Sequence, residues 1–329
     1  MNISVIGDGG WGTTLAILLH NKGNSVTLWG AFPKYAAYLK QSRINKQFLP
    51  GVKIPAPIEI TSDLKQATKS KDLVILAVPS QYMRRVARRI KACDVPGRVP
   101  FLSVTKGLEI STLLRMSEVI QEELGRVRLA VLSGPTIAYE VARQIPTTAV
   151  VASSSKGLRV LIAGLFNTNR FRIYTNADVI GVELGGSLKN IIAIACGISD
   201  GLGFGANTKA AILSRGLVEI SRLGIRMGSK PETFSGISGL GDLVTTCISH
   251  FSRNRYLGEQ IGKGKTLKQV ISKMNMVTEG VPTTKAAYRL ALKYKVDMPI
   301  TREVYLVLYK NKKPRKAVTD LMTRSLKEE

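Results

Sequence analysis

A short apolar strand running straight into G-x-G-x-x-G constrains the start of this chain more than any other feature. Ile3-Ser4-Val5-Ile6 leads into Gly7-Asp8-Gly9-Gly10-Trp11-Gly12-Thr13-Thr14. In a strand–turn–helix unit the first glycine permits the tight turn and the second lets backbone approach a pyrophosphate. The third lets the following helix pack closely on its strand. The spacing predicts a helix over residues 11–21 whose free N–H groups hold an anion. Val26-Thr27-Leu28-Trp29 follows and completes a βαβ unit. That context points to a bound dinucleotide, whereas an isolated G-x-G-x-x-G fits an ordinary surface loop equally well.

At 329 residues the chain is long for one hydrophobic core, which favours one large and one smaller domain. No apolar run approaches the ~20 residues needed to span a bilayer, and no basic segment followed by a cleavable apolar stretch opens the sequence. These features predict a soluble, cytoplasmic protein without a transmembrane segment. Cys93, Cys196 and Cys247 are widely spaced, and no Cys/His cluster resembles a metal site. With only His20 and His250 present, and His20 among apolar neighbours on the first helix, histidine catalysis is not expected.

The charge is unusual. Lys and Arg number 48 against 23 Asp and Glu, a net of +25. Such a surplus attracts polyanions without regard to sequence, and it also steers a small anionic substrate. The densest clusters, Arg84-Arg85 with Arg88-Arg89-Lys91 and Lys310-Asn311-Lys312-Lys313-Pro314-Arg315-Lys316, contain no interleaved aromatics for stacking bases. No specific nucleic-acid partner is therefore expected, and the basic residues read chiefly as a solvated face.

Strands and helices alternate through the first half. Apolar runs predict strands at residues 3–6, 26–29, 58–60, 72–78, 99–104, 129–132, 148–152 and 171–174, and the nearly continuous run at 72–78 reads as a buried parallel strand. Helices are expected over 33–41, from Ser62-Asp63-Leu64 to about residue 71, through the basic stretch after Pro79-Ser80, over 112–123, and after Ser153-Ser154-Ser155. The pattern is that of a doubly wound sheet. From about Asp178 the periodicity becomes helical throughout, over 179–198, 209–223, 256–262, 267–274, 283–294 and 302–308. The expected organisation is a dinucleotide-binding domain over 1–180 and an all-helical domain over 181–329, with the cleft between them as the default active site.

In doubly wound sheets ligands lie beyond the carboxyl ends of the strands, which draws attention to Pro79-Ser80, Thr105-Lys106-Gly107 and Ser133-Gly134-Pro135-Thr136. By position alone Lys106 is either an anion ligand or a solvated loop lysine. Lys189 lies in Leu184-Gly185-Gly186-Ser187-Leu188-Lys189-Asn190-Ile191, a helix too apolar to be an exposed face. A lysine there either snorkels or is partly desolvated, and desolvation lowers an ammonium's pKa toward the acid–base range. Asp242, in Ser238-Gly239-Leu240-Gly241-Asp242-Leu243, is either a chemical carboxylate or a simple N-cap. Ser252-Arg253-Asn254 offers a hydroxyl, a guanidinium and an amide in succession, a set suited to phosphate.

Together these residues resemble the bacterial-type NAD(P)-dependent glycerol-3-phosphate dehydrogenases. The likeness runs in order along almost the whole chain, through Gly7 to Thr13, Ala77-Val78-Pro79-Ser80, Thr105 to Glu109, Ser133 to Thr136, Leu184 to Asn190, Ser199 to Asn207, Gly239 to Leu243, Ser252 to Arg255, and Val277-Thr278-Glu279-Gly280. The resemblance implies a Rossmann-type doubly wound sheet followed by an all-α domain, with NADH or NADPH as cofactor. It implies that Lys189 is the acid–base residue and that Lys106, Gly134, Thr136, Asp242, Ser252, Arg253 and Asn254 surround the substrate. Gly10, Trp11, Lys106, Ala138, Arg253, Val277 and Glu279 would line the dinucleotide, beside Gly7, Gly9 and Gly12 of the turn. The implied reaction is reduction of dihydroxyacetone phosphate to sn-glycerol 3-phosphate, the backbone supply for phospholipid synthesis.

One departure concerns cofactor choice. Many members of that family carry Arg or His just after the second strand, whereas this chain reads Trp29-Gly30-Ala31-Phe32-Pro33-Lys34, with no Asp or Glu to bond a free ribose 2′-hydroxyl. Lys34 and the basic surface tilt the expectation toward NADP. The apolar helical domain suggests a homodimer. Two other readings stay open: a two-domain dehydrogenase for a different anionic substrate such as a hydroxyacid or acyl-CoA, and a nucleotide-sensing or nucleic-acid-binding protein without turnover.

Overall fold

Residues on β4 (Leu73–Leu76) are fully buried on both sides of the chain, which only an interior strand of a covered sheet can achieve. Leu73 and Ile75 join one apolar cluster, Val74 and Leu76 the other, so the pleat divides a single run between two cores. Each buried Leu, Ile or Val side chain contributes about 1.5–3 kcal/mol relative to exposure. The computed structural model describes residues 1–274 and 276–326.

The chain divides into two compact units. The first comprises Met1–Lys106 and Leu114–Glu183, the second Gly107–Leu113 and the chain from Leu184 onward. The texture of the sequence changes near Asp178, but a single cut in the chain has no way to express the excursion of Gly107–Leu113 into the second unit.

In the first unit the strands β1 (Asn2–Ile6), β2 (Ser25–Trp29), β3 (Glu59–Thr61), β4, β5 (Phe101–Ser103), β6 (Leu129–Ser133), β7 (Thr147–Ala152) and β8 (Phe171–Asn176) form one sheet in the order 3-2-1-4-5-6-7-8. All neighbours are parallel except β6 and β7. The helices are α1 (Gly10–Asn21), α2 (Pro33–Ser42), α3 (Leu64–Thr68), α4 (Met83–Lys91), α5 (Met116–Leu124), α6 (Ala138–Ala142) and α7 (Lys156–Phe166). A doubly wound sheet followed by helices is the expected architecture.

Details differ from expectation for identifiable reasons. The helix expected from residue 112 begins at Met116, because Leu113 adopts φ 67°, a left-handed conformation that cannot continue a helix. Glu118 then accepts a 2.9 Å bond from the Arg115 backbone N–H. The basic stretch of α4 is partly consumed by α5, where Arg84 pairs with Glu122 and Glu123 at 2.8 and 2.6 Å, and Arg88 with Glu123 at 2.9 Å.

The second unit is helical: most of α8 (Val179–Gly201), then α9 (Ala206–Arg226), α10 (Pro231–Ser235), a π-helical run over Ile237–Gly241, α11 (Asp242–Ile248), α12 (Arg253–Gly262), α13 (Leu267–Ile271), α14 (Gly280–Tyr294), α15 (Pro299–Tyr309) and α16 (Pro314–Met322). One helix among the described residues is long and apolar enough, by length and composition alone, to cross a membrane. It is α8, with a mean hydropathy of 1.5, yet 89% of its apolar window is buried in the protein. Its glycines account for part of that burial. A Cβ on Gly197 would lie 2.0 Å from the Arg255 carbonyl oxygen, and one on Gly258 would lie 2.1 Å from that of Ile194, so α8 and α12 pack backbone to backbone.

Candidate active site

The glycine-rich turn connects β1 to α1 as its spacing predicts. Gly7 takes φ +124°, open to glycine and strained for other residues, and a Cβ there would lie 2.6 Å from the Ala77 carbonyl oxygen. A Cβ on Gly12 would collide with the Gly7 carbonyl oxygen at 1.9 Å, so α1 can approach β1 only with glycine at that position. Beside Gly9, by contrast, a Cβ would meet nothing within 4 Å. Gly9 is also the N-cap of α1 and offers no side-chain cap, which leaves the first-turn N–H groups for an anion. The Trp11 indole Nε1 is buried without a hydrogen-bond partner. Open backbone, uncapped donors and an orphaned donor together fit a dinucleotide pyrophosphate.

Asn45 holds this turn in shape. Its Nδ2 donates to the Asp8 carbonyl oxygen and to Thr13 Oγ1, both at 2.8 Å, while its Oδ1 accepts from Tyr35 Oη and the Phe48 N–H at 2.7 and 3.1 Å. The Phe48 carbonyl oxygen lies 2.4 Å from where a Gly10 Cβ would stand. No sequence signal marks Asn45, because its partners lie more than thirty residues away on the turn. Ala138 opens α6 and accepts a 3.1 Å bond from Thr14 Oγ1, which sets α6 beside Gly10 and α1. Lys34 is the second residue of α2 and is exposed.

Three more of the expected residues meet in the same unit. Lys106 Nζ donates to the Gly134 carbonyl oxygen at 2.7 Å and to Thr136 Oγ1 at 3.2 Å, and Thr136 Oγ1 donates to the Gly134 carbonyl oxygen at 3.0 Å. The loops after β5 and β6 thus present one ammonium and one hydroxyl at the carboxyl edge of the sheet.

In the helical unit Lys189 is 6% exposed, and its Nζ donates to Asp242 Oδ1 and, at 2.6 Å, to Thr246 Oγ1. Asp242 is 1% exposed. It is the first residue of α11 and follows directly on the π-helical run, so it is no N-cap. Gly185 lets this run approach α8, since a Cβ there would lie 2.6 Å from the Ser238 carbonyl oxygen. Thr246, which the sequence reading missed, sits one turn after Asp242 and donates to its carbonyl oxygen at 2.7 Å. A buried ammonium is costly unless paired, and this one has a carboxylate and a hydroxyl. The arrangement holds one proton-bearing nitrogen in a fixed position at low water exposure.

Next to Lys189, Asn190 Oδ1 accepts from Asn254 Nδ2 at 2.9 Å, and Asn254 Oδ1 accepts from the Gly280 N–H at 2.9 Å. These bonds fix the Asn254 amide and leave its second Nδ2 hydrogen to offer. Ser252 caps α12, its Oγ accepting from the Arg255 N–H at 3.3 Å while its own hydrogen stays available as a donor. Arg253 is exposed and donates to the Val277 carbonyl oxygen at 2.8 Å, with the Glu279 carboxylate near enough to act on its charge. The thiols of Cys196 and Cys247 are in contact, and that contact together with burial pushes Cys247 well above the usual thiol range.

A parallel sheet with a glycine-rich first turn, joined to a helical unit holding a buried Lys–Asp pair, defines a two-unit dinucleotide-dependent dehydrogenase. Sequence profiles of the NAD-dependent glycerol-3-phosphate dehydrogenase N-terminus and C-terminus match residues 2–158 and 178–319. The chain belongs to the NAD-dependent glycerol-3-phosphate dehydrogenase family, and it is an NAD(P)-binding oxidoreductase. It is 51% identical to the glycerol-3-phosphate dehydrogenase (NAD(P)+) of Chlorobium phaeobacteroides strain BS1, over 100% of this chain and 99% of that one. The enzyme of the same name from Prosthecochloris aestuarii is also 51% identical, with 100% of both chains covered. The crystal structure of glycerol-3-phosphate dehydrogenase from Coxiella burnetii superposes with a TM-score of 0.95 at 38% identity, covering 98% of this chain and 99% of that one.

Proposed function

We propose that this chain catalyses the reversible reduction of dihydroxyacetone phosphate to sn-glycerol 3-phosphate, in the cytoplasm, as a supply of backbone for glycerophospholipid synthesis. The observation that carries the reading is the buried Lys189 ammonium held by Asp242 and Thr246. NADH or NADPH, when bound, supplies the hydride to the ketone carbon. Lys189 Nζ stabilises the negative charge that develops on the ketone oxygen and delivers a proton to it. In the reverse direction the neutral amine takes the hydroxyl proton. Asp242 balances the ammonium's charge and, with Thr246, fixes its direction. Arg253 grips the substrate phosphate through its planar fork, aided by the Ser252 hydroxyl and the Asn254 amide. Lys106, with Gly134 and Thr136, contributes a second positive contact to the anionic substrate.

Gly7, Gly9, Gly10, Trp11 and Gly12 carry the pyrophosphate, with Lys106, Ala138, Arg253, Val277 and Glu279 lining the rest of the dinucleotide and Lys34 lying toward its adenosine end. The enzyme works as a homodimer through its apolar helical unit, which sedimentation at micromolar concentration tests directly. The deciding experiment follows NADH and NADPH oxidation with dihydroxyacetone phosphate, set against NAD(P)+ reduction with glycerol 3-phosphate and with 3-hydroxyacids. Turnover confined to the glycerol phosphate couple supports the reading. Preference for a hydroxyacid, or retention on DNA at physiological salt with no nicotinamide turnover, overturns it.

A further inference from the structure

The residue after β2 is where a βαβ dinucleotide fold ordinarily places the carboxylate that bonds the adenosine ribose 2′-hydroxyl. Here that residue is Gly30, which has no side chain to offer. Its surroundings show why. β1 and β2 pair in parallel with Ile6 opposite Trp29, and Gly7 N–H donates to the Trp29 carbonyl oxygen at 2.9 Å, so the glycine-rich turn and the end of β2 share one edge of the sheet. A Cβ on Gly30 would lie 2.3 Å from Asp8 Oδ2 and 2.8 Å from Asp8 Cγ. The Asp8 carboxyl therefore fills the volume that a side chain at position 30 would have taken.

The Asp8 carboxyl is only partly answered there, by its own backbone N–H. The Asp8 carbonyl oxygen accepts from Asn45 Nδ2 at 2.8 Å, which fixes the backbone, while Oδ2 is buried without a hydrogen-bond partner. Among the described residues seven buried side-chain polar atoms lack a partner, and two of them, Asp8 Oδ2 and Trp11 Nε1, belong to this one turn. Leaving a buried polar group without a partner is unfavourable, and two in one turn point to a ligand that completes them. Burial pushes the Asp8 carboxyl up to about 6 against the bond from its own backbone N–H, so at neutral pH it is largely ionised. A neighbour on α2, Tyr35, lies close enough to feel that charge.

Resting on the dinucleotide-dependent reading above, we infer that Asp8 is the specificity-determining residue for the adenosine ribose: it accepts a hydrogen bond from the free 2′-hydroxyl and repels a 2′-phosphate. Asp8, in the turn after β1, then does the work that a carboxylate at the end of β2 does in other βαβ dinucleotide folds. Asp8 then opposes Lys34. A partly buried carboxylate fixed by its backbone outweighs a flexible ammonium in open solvent, and the balance falls toward NADH rather than toward NADPH.

The test is equilibrium binding of NADH and NADPH, followed by dinucleotide fluorescence with no substrate present, to the full chain and its variants. The wild type is expected to bind NADH more tightly by ~10-fold or more, and Asp8→Asn, which keeps the shape and removes the charge, to move the affinity ratio toward NADPH by ~10-fold. Asp8→Ser serves as the second variant, with the melting temperature of each recorded, so that a folding defect in one leaves the other to decide. A ratio unchanged within twofold, or equal weakening of both dinucleotides, overturns the role of Asp8 and makes it a support of the turn only. Absence of binding of either dinucleotide to the wild type would instead overturn the dinucleotide-dependent reading itself.

Discussion

The Lys189 ammonium and the Asp242 carboxylate are bonded to each other where both are almost wholly withdrawn from solvent, and Thr246 Oγ1 completes the contact at 2.6 Å. The pairing makes each residue dependent on the other. α8 and α11 bring them together across 53 positions of sequence, with Gly185 allowing the close approach of the intervening turn.

Replacing Lys189 by Met keeps the length of the side chain and removes the proton carrier. Turnover is expected to fall by ~10²–10⁴, the scale of a lost general acid–base group. Dinucleotide affinity, measured by fluorescence, is expected to stay within a few-fold of wild type. Near-normal turnover would remove Lys189 from the chemistry.

Asp242→Asn leaves a buried ammonium without its counter-charge. Breaking such a pair costs about 3–5 kcal/mol, so a lower unfolding midpoint in urea should accompany the loss of turnover. The double variant Lys189→Met, Asp242→Asn should recover part of that stability. A double variant less stable than Asp242→Asn alone would contradict the coupling.

Arg253→Ala should raise the KM for dihydroxyacetone phosphate and affect kcat less. The loss of the fork is put at about 2 kcal/mol, the lower end for a charge on an anionic ligand, because the Arg253 side chain is exposed. An unchanged KM would exclude it from the phosphate site.

Lys34→Glu should weaken NADPH binding and leave NADH nearly untouched. The effect should not exceed ~10-fold, since an exposed ammonium contributes about 1 kcal/mol or less. Equal changes for both dinucleotides would place Lys34 away from the 2′-phosphate.

A pH-dependent stability term arises at Glu219 on α9. Its carboxyl accepts from the Ile300 and Thr301 N–H groups at 2.5 and 3.0 Å and from Thr301 Oγ1 at 2.9 Å, so it caps α15 from another helix. Burial nevertheless pushes it up from 4.5 to about 7. A carboxyl whose pKa is higher in the folded state binds its proton more tightly there than when unfolded. Its favourable contribution is full below about pH 4.5 and is lost as pH rises to about 7, with an upper scale of about 3 kcal/mol. Glu219→Gln, which retains an acceptor, should flatten the pH dependence of urea unfolding across that window. An identical slope in the variant would assign the term to another group.

The sequence alone determined what depends on local pattern. Apolar runs placed all eight strands, G-x-G-x-x-G placed the turn before α1, and the glycine-rich apolar stretch around Lys189 marked a buried helix, because these signals lie within a few neighbouring residues. Short helices without strong periodicity, such as α6 and α10, were not legible, and α5 began late because a left-handed Leu113 breaks a stretch whose composition suits a helix. Tertiary structure decided which polar groups meet. Asp242 read equally well as an N-cap until the π-helical run carried it to Lys189, and Thr246 gained significance only from its place one turn further on. Gly30 read as a missing carboxylate until the pairing of β1 with β2 set Asp8 against it. Hydrogen bonds and steric exclusion between residues distant in sequence depend on how elements pack, and no local pattern in the chain encodes that packing.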